Sequence, residues 1–474
     1  MTRIAAIDQG TTSTRALILG PDGLTPVLSL PHAQKTPASG HVEQDAEELL
    51  GNILRCLHAS GAPVVGLSNQ GESCLAWDAR TGQPISPVIS WQDDRTADTT
   101  AALDRDGAAP MVMERAGLPL DPYFSASKLG WIVRHIPAAA DLAARGHLRL
   151  GTTDAFFRDR LTGRFETDIA TASRTSLLNL ATGEWDADLC RLFGVPIEAL
   201  PTITPTSGAL GTLPGGARLA ASIVDQQAAL YGHGCRAPGQ TKITFGTGAF
   251  AQSVTGALLR PQTGVLPTIA WQRAGQPVTY ALDGGVYAAA SAVNWARELG
   301  LFTDYAQIAA FDGAAIDRGL AFVPALVGLG APHWNRATRG AWLGLDLAHG
   351  PRDLMQALLE GIALRAVEVL DAMAAAQPPD GPVSVDGGLS RNPYFTAFLA
   401  QTLGRDLFLS DEAELTAMGL AHMAAQATGL PVPGRRPGRI VPAGPDRPGP
   451  ARLAQFATAR QAIAAYGLPS TARR

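Results

Sequence analysis

The chain opens on an apolar run at residues 4–7, a polar turn at 8–13 and a second apolar run at 15–19. Short Ile/Leu/Ala-rich runs broken by Gly10 and a cluster of hydroxyls predict a β-hairpin. A turn at Pro21, Asp22 and Gly23 leads to a third predicted strand at 24–30. Over 45–60, Leu49, Leu50, Ile53, Leu54 and Leu57 recur at helical spacing and predict an amphipathic helix. Residues 63–67 predict a buried strand ending in the polar loop 68–73. A short strand at 87–91 precedes Gln92, Asp93, Asp94 and Arg95. Helices are predicted at 128–136 and 151–163, and a small polar turn at 172–175. A strand at 220–224 ends at Asp225, Gln226 and Gln227 and feeds an Ala-rich helix.

The second half alternates strand and helix again. Residues 241–250 repeat the opening plan: a β-rich approach, the turn Gly246-Thr247-Gly248, then more apolar chain. Asp386, Gly387 and Gly388 follow a predicted strand at 383–385. Helices are predicted at 288–299, 352–376, 392–403, 414–427 and 451–466, and a meandering surface segment at 431–450. Two similar hairpins, one opening each half, indicate a duplicated fold with a cleft between related domains. The expected division is 1–237, 238–430, and a Pro/Gly/Arg-rich tail with a last helix at 431–474.

The turns carry the candidate chemistry. Gly10 lets backbone approach an anion, and N–H groups with the hydroxyls of Thr11 and Thr12 can cradle phosphate oxygens. Asp8 can hold a metal ion, directly or through water. An ordinary surface hairpin with a polar turn carries the same pattern. Glycine turns before helices, as at Gly388, also bind phosphate or adenosine.

Composition narrows the class. With 474 residues, 46% hydrophobic and 17% charged, the chain reads as a well-buried enzyme of two or three domains. A formal net charge of −4 provides no basic field, so nucleic acid is not an expected partner. Four scattered cysteines without metal-ligand spacing fit a reducing cytoplasm. No apolar run is long enough to span a bilayer, so no membrane partner is expected. The N-terminus runs straight into a core strand and leaves no room for a signal peptide.

The motifs AIDQGTTSTR, NQGES, ISWQDDRT, DPYFSASK, TASRTSLLNL, DQQAALYG, TFGTGAF, GLGAPHWN, VDGGLSRN and ELTAMGLA stand in order along the chain. With them the chain resembles the FGGY carbohydrate kinases, on their glycerol kinase branch, up to about residue 429. The resemblance implies a two-domain actin-like ATPase (ribonuclease H-like) α/β fold with the nucleotide cleft between duplicated domains. It also implies ATP with Mg2+, transfer of the γ-phosphoryl group to a small polyol or sugar, and homodimers or homotetramers.

Residue by residue, the resemblance makes Asp225 the catalytic base, although an Asp there also suits a helix cap. Glu72, Trp91, Tyr123, Gln226 and Phe250 match polyol-binding positions; core packing is the alternative for Trp91 and Phe250. Thr11, Thr12, Arg15, Thr247, Asn294, Gly388 and Asn392 fall on the ATP side, with Asp8 on Mg2+ through its water shell. Arg15 has the alternative of pairing with a carboxylate. Asn294 stands at a glutamine of the pattern, and Ala290 at a glycine. One departure concerns the acceptor: the glycerol kinase pattern reads Asn-Gln-Arg-Glu-Thr where this chain has Gly71 before Glu72 and Ser73. Losing that arginine removes charge-assisted hydrogen bonds worth about 1.5–3 kcal/mol each and opens space for a larger polyol or ketose such as erythritol, xylulose or ribulose, unless a neighbour such as Arg95 reaches in. A non-catalytic actin-like ATPase module is the reading of a different class; Asp225, Trp91 and Tyr123 argue for an enzyme.

Overall fold

A computed structural model describes residues 3–20, 23–432, 438–446 and 448–466. Pro21 and Asp22 of the predicted turn, and part of the 431–450 segment, lie outside the described residues.

The first sheet grows from the opening hairpin. Strand β1 (Ile4–Gln9) pairs antiparallel with β2 (Ser13–Gly20), and β2 with β3 (Gly23–Pro31). Helix α1 (Ala46–Ser60) follows, capped by the Asp45 carboxylate, which accepts from the Glu47 and Glu48 N–H groups. It ends at Gly61, whose φ of 51° places it in the left-handed region that closes helices. Strand β4 (Val64–Asn69) lies parallel to β1 on its other side. Strands β5 (Ser207–Thr212) and β6 (Arg218–Val224) complete the order β5-β6-β4-β1-β2-β3, with β6 parallel to β4. Helix α2 (Asp225–Gly232) leaves directly from β6.

The second sheet repeats this plan. Strands β7 (Thr241–Phe245) and β8 (Ala249–Gly256) form its hairpin. Strands β9 (Leu266–Gln272) and β10 (Val278–Val286) extend it on the antiparallel side. Helices α3 (Ala290–Glu298) and α4 (Pro351–Ala376) precede β11 (Val383–Gly387), which lies parallel to β7. Helix α5 (Pro393–Leu403) and strand β12 (Leu407–Ser410) follow, then helix α6 (Leu415–Ala427) and the edge strand β13 (Gly438–Val441). The order is β9-β10-β8-β7-β11-β12-β13. The first sheet has three antiparallel strands and the second four, and each adds two parallel strands and an antiparallel edge, which is the expected duplication.

Three expectations need correction. Residues 151 and 152, expected to start a helix, instead end a strand at Leu148–Thr152, and the helix begins at Thr153. The helix expected from Lys128 begins at Ser125. The 431–450 segment is not wholly meandering, because β13 pairs with the outer edge of β12 and the last helix starts at Gly449. Its Gly/Arg-rich composition suits a short polar edge that resists further pairing.

The two halves share a core. Helix α6 comes late in the chain but packs on the first sheet, where Ala417, Leu420 and Ala424 meet Ile4, Val64 and Ile223. It also touches α2 at backbone distance: a Cβ on Gly419 would lie 1.9 Å from the Ala228 oxygen, and one on Gly232 1.9 Å from the Leu415 oxygen. Only glycine permits that approach. Among the described residues, no helix is long and apolar enough to cross a membrane.

Candidate active site

The parallel strands β1, β4 and β6 end together, and their carboxyl ends carry the polar residues, as open α/β sheets place their ligands. Asp8 lies opposite Ser68, and Asn69 opposite Val224. The hairpin turn 246–248 of the second sheet closes the space from the other side. Its Thr247 oxygen accepts from the N–H groups of Ala289 and Ser291 at the start of α3. Between them lies a pocket of about 200 Å³, lined by Glu72, Trp91, Tyr123, Asp225, Gln226 and Phe250 together with Thr11 and Thr247. One cavity therefore unites the expected base, all five expected acceptor residues and an expected phosphate-side threonine from each hairpin turn.

Asp225 is the first residue of α2, and its Oδ1 accepts from the Gln226 N–H at 2.7 Å. Burial, reinforced by the nearby charges of Asp8 and Glu72, pushes its carboxyl up to about 7. Such a group gains and loses a proton near neutrality, as a general base must. Glu72 sits in the left-handed region with φ 56°, a strained conformation for a non-glycine residue. Its backbone oxygen accepts from Ser125 Oγ at 3.0 Å and its carboxylate from Arg174 Nε at 2.7 Å. Burial raises the Glu72 carboxyl, and Arg174 opposes that rise.

Trp91 is not merely an apolar wall. Its Nε1 donates to Thr11 Oγ1 at 3.1 Å, and its ring stands edge-on to Tyr123 with centroids 5.7 Å apart. The Gln226 side-chain oxygen accepts from the buried Lys242 Nζ at 2.8 Å, and Gln226 lines the pocket.

Asp8 and Arg15 adjoin this pocket rather than line it. Arg15 pairs with Asp8 at 2.7 Å and with Glu414, just before α6, at 2.7 Å. The carboxylate partner foreseen as the alternative for Arg15 is therefore present. Asp8 also accepts from Ser68 Oγ at 2.8 Å. Among the described residues no cluster of three His, Cys, Asp or Glu makes a metal cage. A single buried carboxylate fits a magnesium ion that arrives on nucleotide phosphates and keeps most of its water.

The remaining nucleotide-side residues lie outside the pocket. Thr12 is exposed on the first hairpin turn and Asn294 on α3, where Asn294 accepts from the Tyr305 hydroxyl at 3.4 Å. Gly388 borders open space, whereas a Cβ on its neighbour Gly387 would collide with the Phe245 oxygen at 2.2 Å. Asn392 caps α5 by accepting from the Phe395 N–H at 2.9 Å and donates to the Ile308 oxygen at 2.8 Å.

Arg95 does not reach into the site. It is held by Asp93 and Glu43, and its guanidinium lies 4.7 Å from the centre of the Trp131 ring. The pocket's guanidinium is Arg174, and with Asp283 and Gln252 it was not among the residues singled out from the sequence. The signal was the TASRT motif itself, a charged residue within a stretch that the structure buries. Asp283 gave a fainter one, as a carboxylate in the middle of an otherwise apolar strand.

Residues 3–224 match the N-terminal domain, and residues 241–428 the C-terminal domain, of the FGGY family of carbohydrate kinases. The chain belongs to this family. The glycerol kinase of Xanthobacter autotrophicus is 38% identical over 97% of this chain and 98% of its own. That of Rhodospirillum centenum is 41% identical over 90% of each. Among solved structures, the glycerol kinase of Plasmodium falciparum with ADP superposes with a TM-score of 0.90 at 25% identity, covering 98% of both chains. A ligand-bound xylulose kinase from Lactobacillus acidophilus gives 0.89 at 19% identity, covering 98% of this chain and 99% of its own, and supports the fold alone. The two-domain FGGY fold and a kinase that uses ATP follow from these likenesses.

Proposed function

We propose that this FGGY kinase transfers the γ-phosphoryl group of ATP to a hydroxyl of a small polyol, with Asp225 as base. The observation that carries the reading is the single pocket in which Asp225, with its carboxyl raised to about 7, meets Glu72, Trp91, Tyr123, Gln226 and Phe250. The acceptor oxygen attacks the γ-phosphorus in line, the bond from phosphorus to the ADP oxygen breaks, and the hydroxyl proton passes to Asp225. Tyr123, Trp91 and Phe250 hold the carbon chain, while Glu72 and Gln226 pair with hydroxyls. Thr11, Thr12 and Thr247 present hydroxyls and turn N–H groups to the phosphates, and Asn294, Gly388 and Asn392 line the approach to the adenosine. Asp8 is the residue to hold magnesium through water, and that ion when bound neutralises charge on the β- and γ-phosphate oxygens. Cleft closure between the halves, divided near residue 238, would exclude water from the transfer.

A kinase of a larger polyol or ketose is the second reading, favoured by Gly71. ADP release measured across glycerol, erythritol, pentitols and ketopentoses separates the two. A clear maximum at glycerol supports the first, a maximum at four or five carbons the second, and no acceptor-dependent release with any of them refutes both.

A further inference from the structure

The wall of the acceptor pocket around Gly71 is occupied by hydrocarbon. A Cβ built on Gly71 would lie 3.0 Å from Val224 Cγ2, closer than ordinary packing allows. Val224 directly precedes Asp225, and both it and Gly71 line the pocket. The volume a longer residue would need at position 71 is thus partly filled, and neither Gly71 nor Val224 brings a polar side chain to that strip of wall.

Arg174, also on the pocket lining, has unused donors. Arg174 Nε donates to Glu72, and Nη1 lies 3.2 Å from Asp283 Oδ2 without hydrogen-bond geometry. Neither Nη1 nor Nη2 has a hydrogen-bond partner among the described residues. Arg174 is only 5% exposed and lines the pocket, with its guanidinium 5.4 Å from the Phe124 ring centre. A buried guanidinium pinned by two carboxylates, with N–H groups left over at a polar cavity, is poised to bind a ligand oxygen.

We infer that Arg174, clamped between Glu72 and Asp283, binds the acceptor's non-reacting hydroxyls, while the Gly71–Val224 contact forms an apolar strip along its carbon chain. This rests on the kinase reading above. It also narrows the acceptor class to neutral polyols. Around the guanidinium itself two clamping carboxylates stand against one positive charge, so a carboxylate placed there instead of a hydroxyl is disfavoured.

Titration calorimetry with a polyol, in the presence of a non-hydrolysable ATP analogue, reads the inference without needing turnover. Arg174→Lys keeps the charge but not the fork, and should weaken polyol binding about tenfold or more, with the affinity for the nucleotide analogue unchanged. An unchanged polyol affinity, or equal losses for polyol and nucleotide, overturns it. Independently, Gly71→Ala should weaken polyol binding, and Gly71→Ala with Val224→Ala should recover most of the loss; purely additive losses overturn the apolar strip. Aldonates should bind at least tenfold more weakly than the matching polyols, and equal binding contradicts the charge argument. A wild type that binds polyol but never releases ADP refutes the kinase reading and leaves Arg174 standing. A wild type that binds no polyol sinks both.

Discussion

Replacing Asp225 by Asn separates what the base costs from what it does. Burial, with Asp8 and Glu72 nearby, moves the Asp225 carboxyl from 3.8 to about 7. Between those two values the folded protein holds a proton that the unfolded chain has already released. Stability therefore falls as pH rises through that window and stays reduced above it. The displacement corresponds to about 4 kcal/mol above pH 7, an order-of-magnitude figure. Asn preserves the shape and the oxygen that accepts from the Gln226 N–H, but it cannot ionise. In ligand-free thermal unfolding at pH 8, D225N should melt higher than wild type, by on the order of 5 °C. The gap should shrink to about half at pH 5.5. Phosphoryl transfer by the same variant should collapse, while the wild-type kcat/KM rises with pH and at pH 6 reaches only about a tenth of its plateau. A D225N protein less stable than wild type at pH 8 would refute the burial argument. Transfer near the wild-type rate would refute the assignment of the base.

Two further substitutions test how the site is supported. Gly419→Ala puts a methyl against the Ala228 oxygen, where a Cβ has 1.9 Å. It should lower stability by about 1–3 kcal/mol in thermal or denaturant unfolding, and an unchanged midpoint would mean that α2 and α6 do not meet at backbone distance. Arg336 reaches from the second half to Asp121 with N–H contacts at 2.8 and 2.7 Å, and Asp121 also accepts from the Tyr123 N–H at 2.9 Å. Because Arg336 is half exposed, Arg336→Gln should cost under about 1 kcal/mol of stability. It should still raise the acceptor KM by loosening the Tyr123 loop, with the ATP KM unchanged; a parallel rise in both would refute that role.

How far the sequence reaches depends on what each residue's partner is. The two hairpins were legible because strand alternation and glycine turns are local, and their repetition exposed the duplication. Asp225 was legible because a carboxylate at the junction of strand and helix is a local feature. The packing of α6 was not legible: a buried helical face does not say which sheet it covers, and its glycine contact with α2 joins residues far apart in the chain. The 148–152 strand was hidden because it runs without a break into the helix at Thr153. Arg95 and Arg174 looked equally available in the sequence. Three-dimensional neighbours decide between them, since Asp93 and Glu43 bind Arg95 away from the pocket while Glu72 and Asp283 turn Arg174 into it.

The same pairing bears on which of the clustered acids is proposed as the base. Asp8 and Glu72 are buried near Asp225, and their charges add to the burial that raises its carboxyl. Arg15 holds Asp8 at 2.7 Å and Arg174 holds Glu72 at 2.7 Å. Arg174 opposes the rise that burial imposes on the Glu72 carboxyl. Among the described residues no guanidinium pairs with Asp225, whose hydrogen bond comes from one backbone N–H and whose Lys242 attraction is outweighed by burial. Asp225, pushed up to about 7 and lining the pocket, is the carboxyl that exchanges a proton near neutrality. Lys at position 174 would keep this distribution of charge, so its effect should fall on acceptor binding, while the pH at which kcat/KM rises should stay near 7. A pH profile displaced by more than about one unit in Arg174→Lys would mean that Glu72 and Asp225 exchange the proton, and that the clamp acts on the base as well as on the substrate.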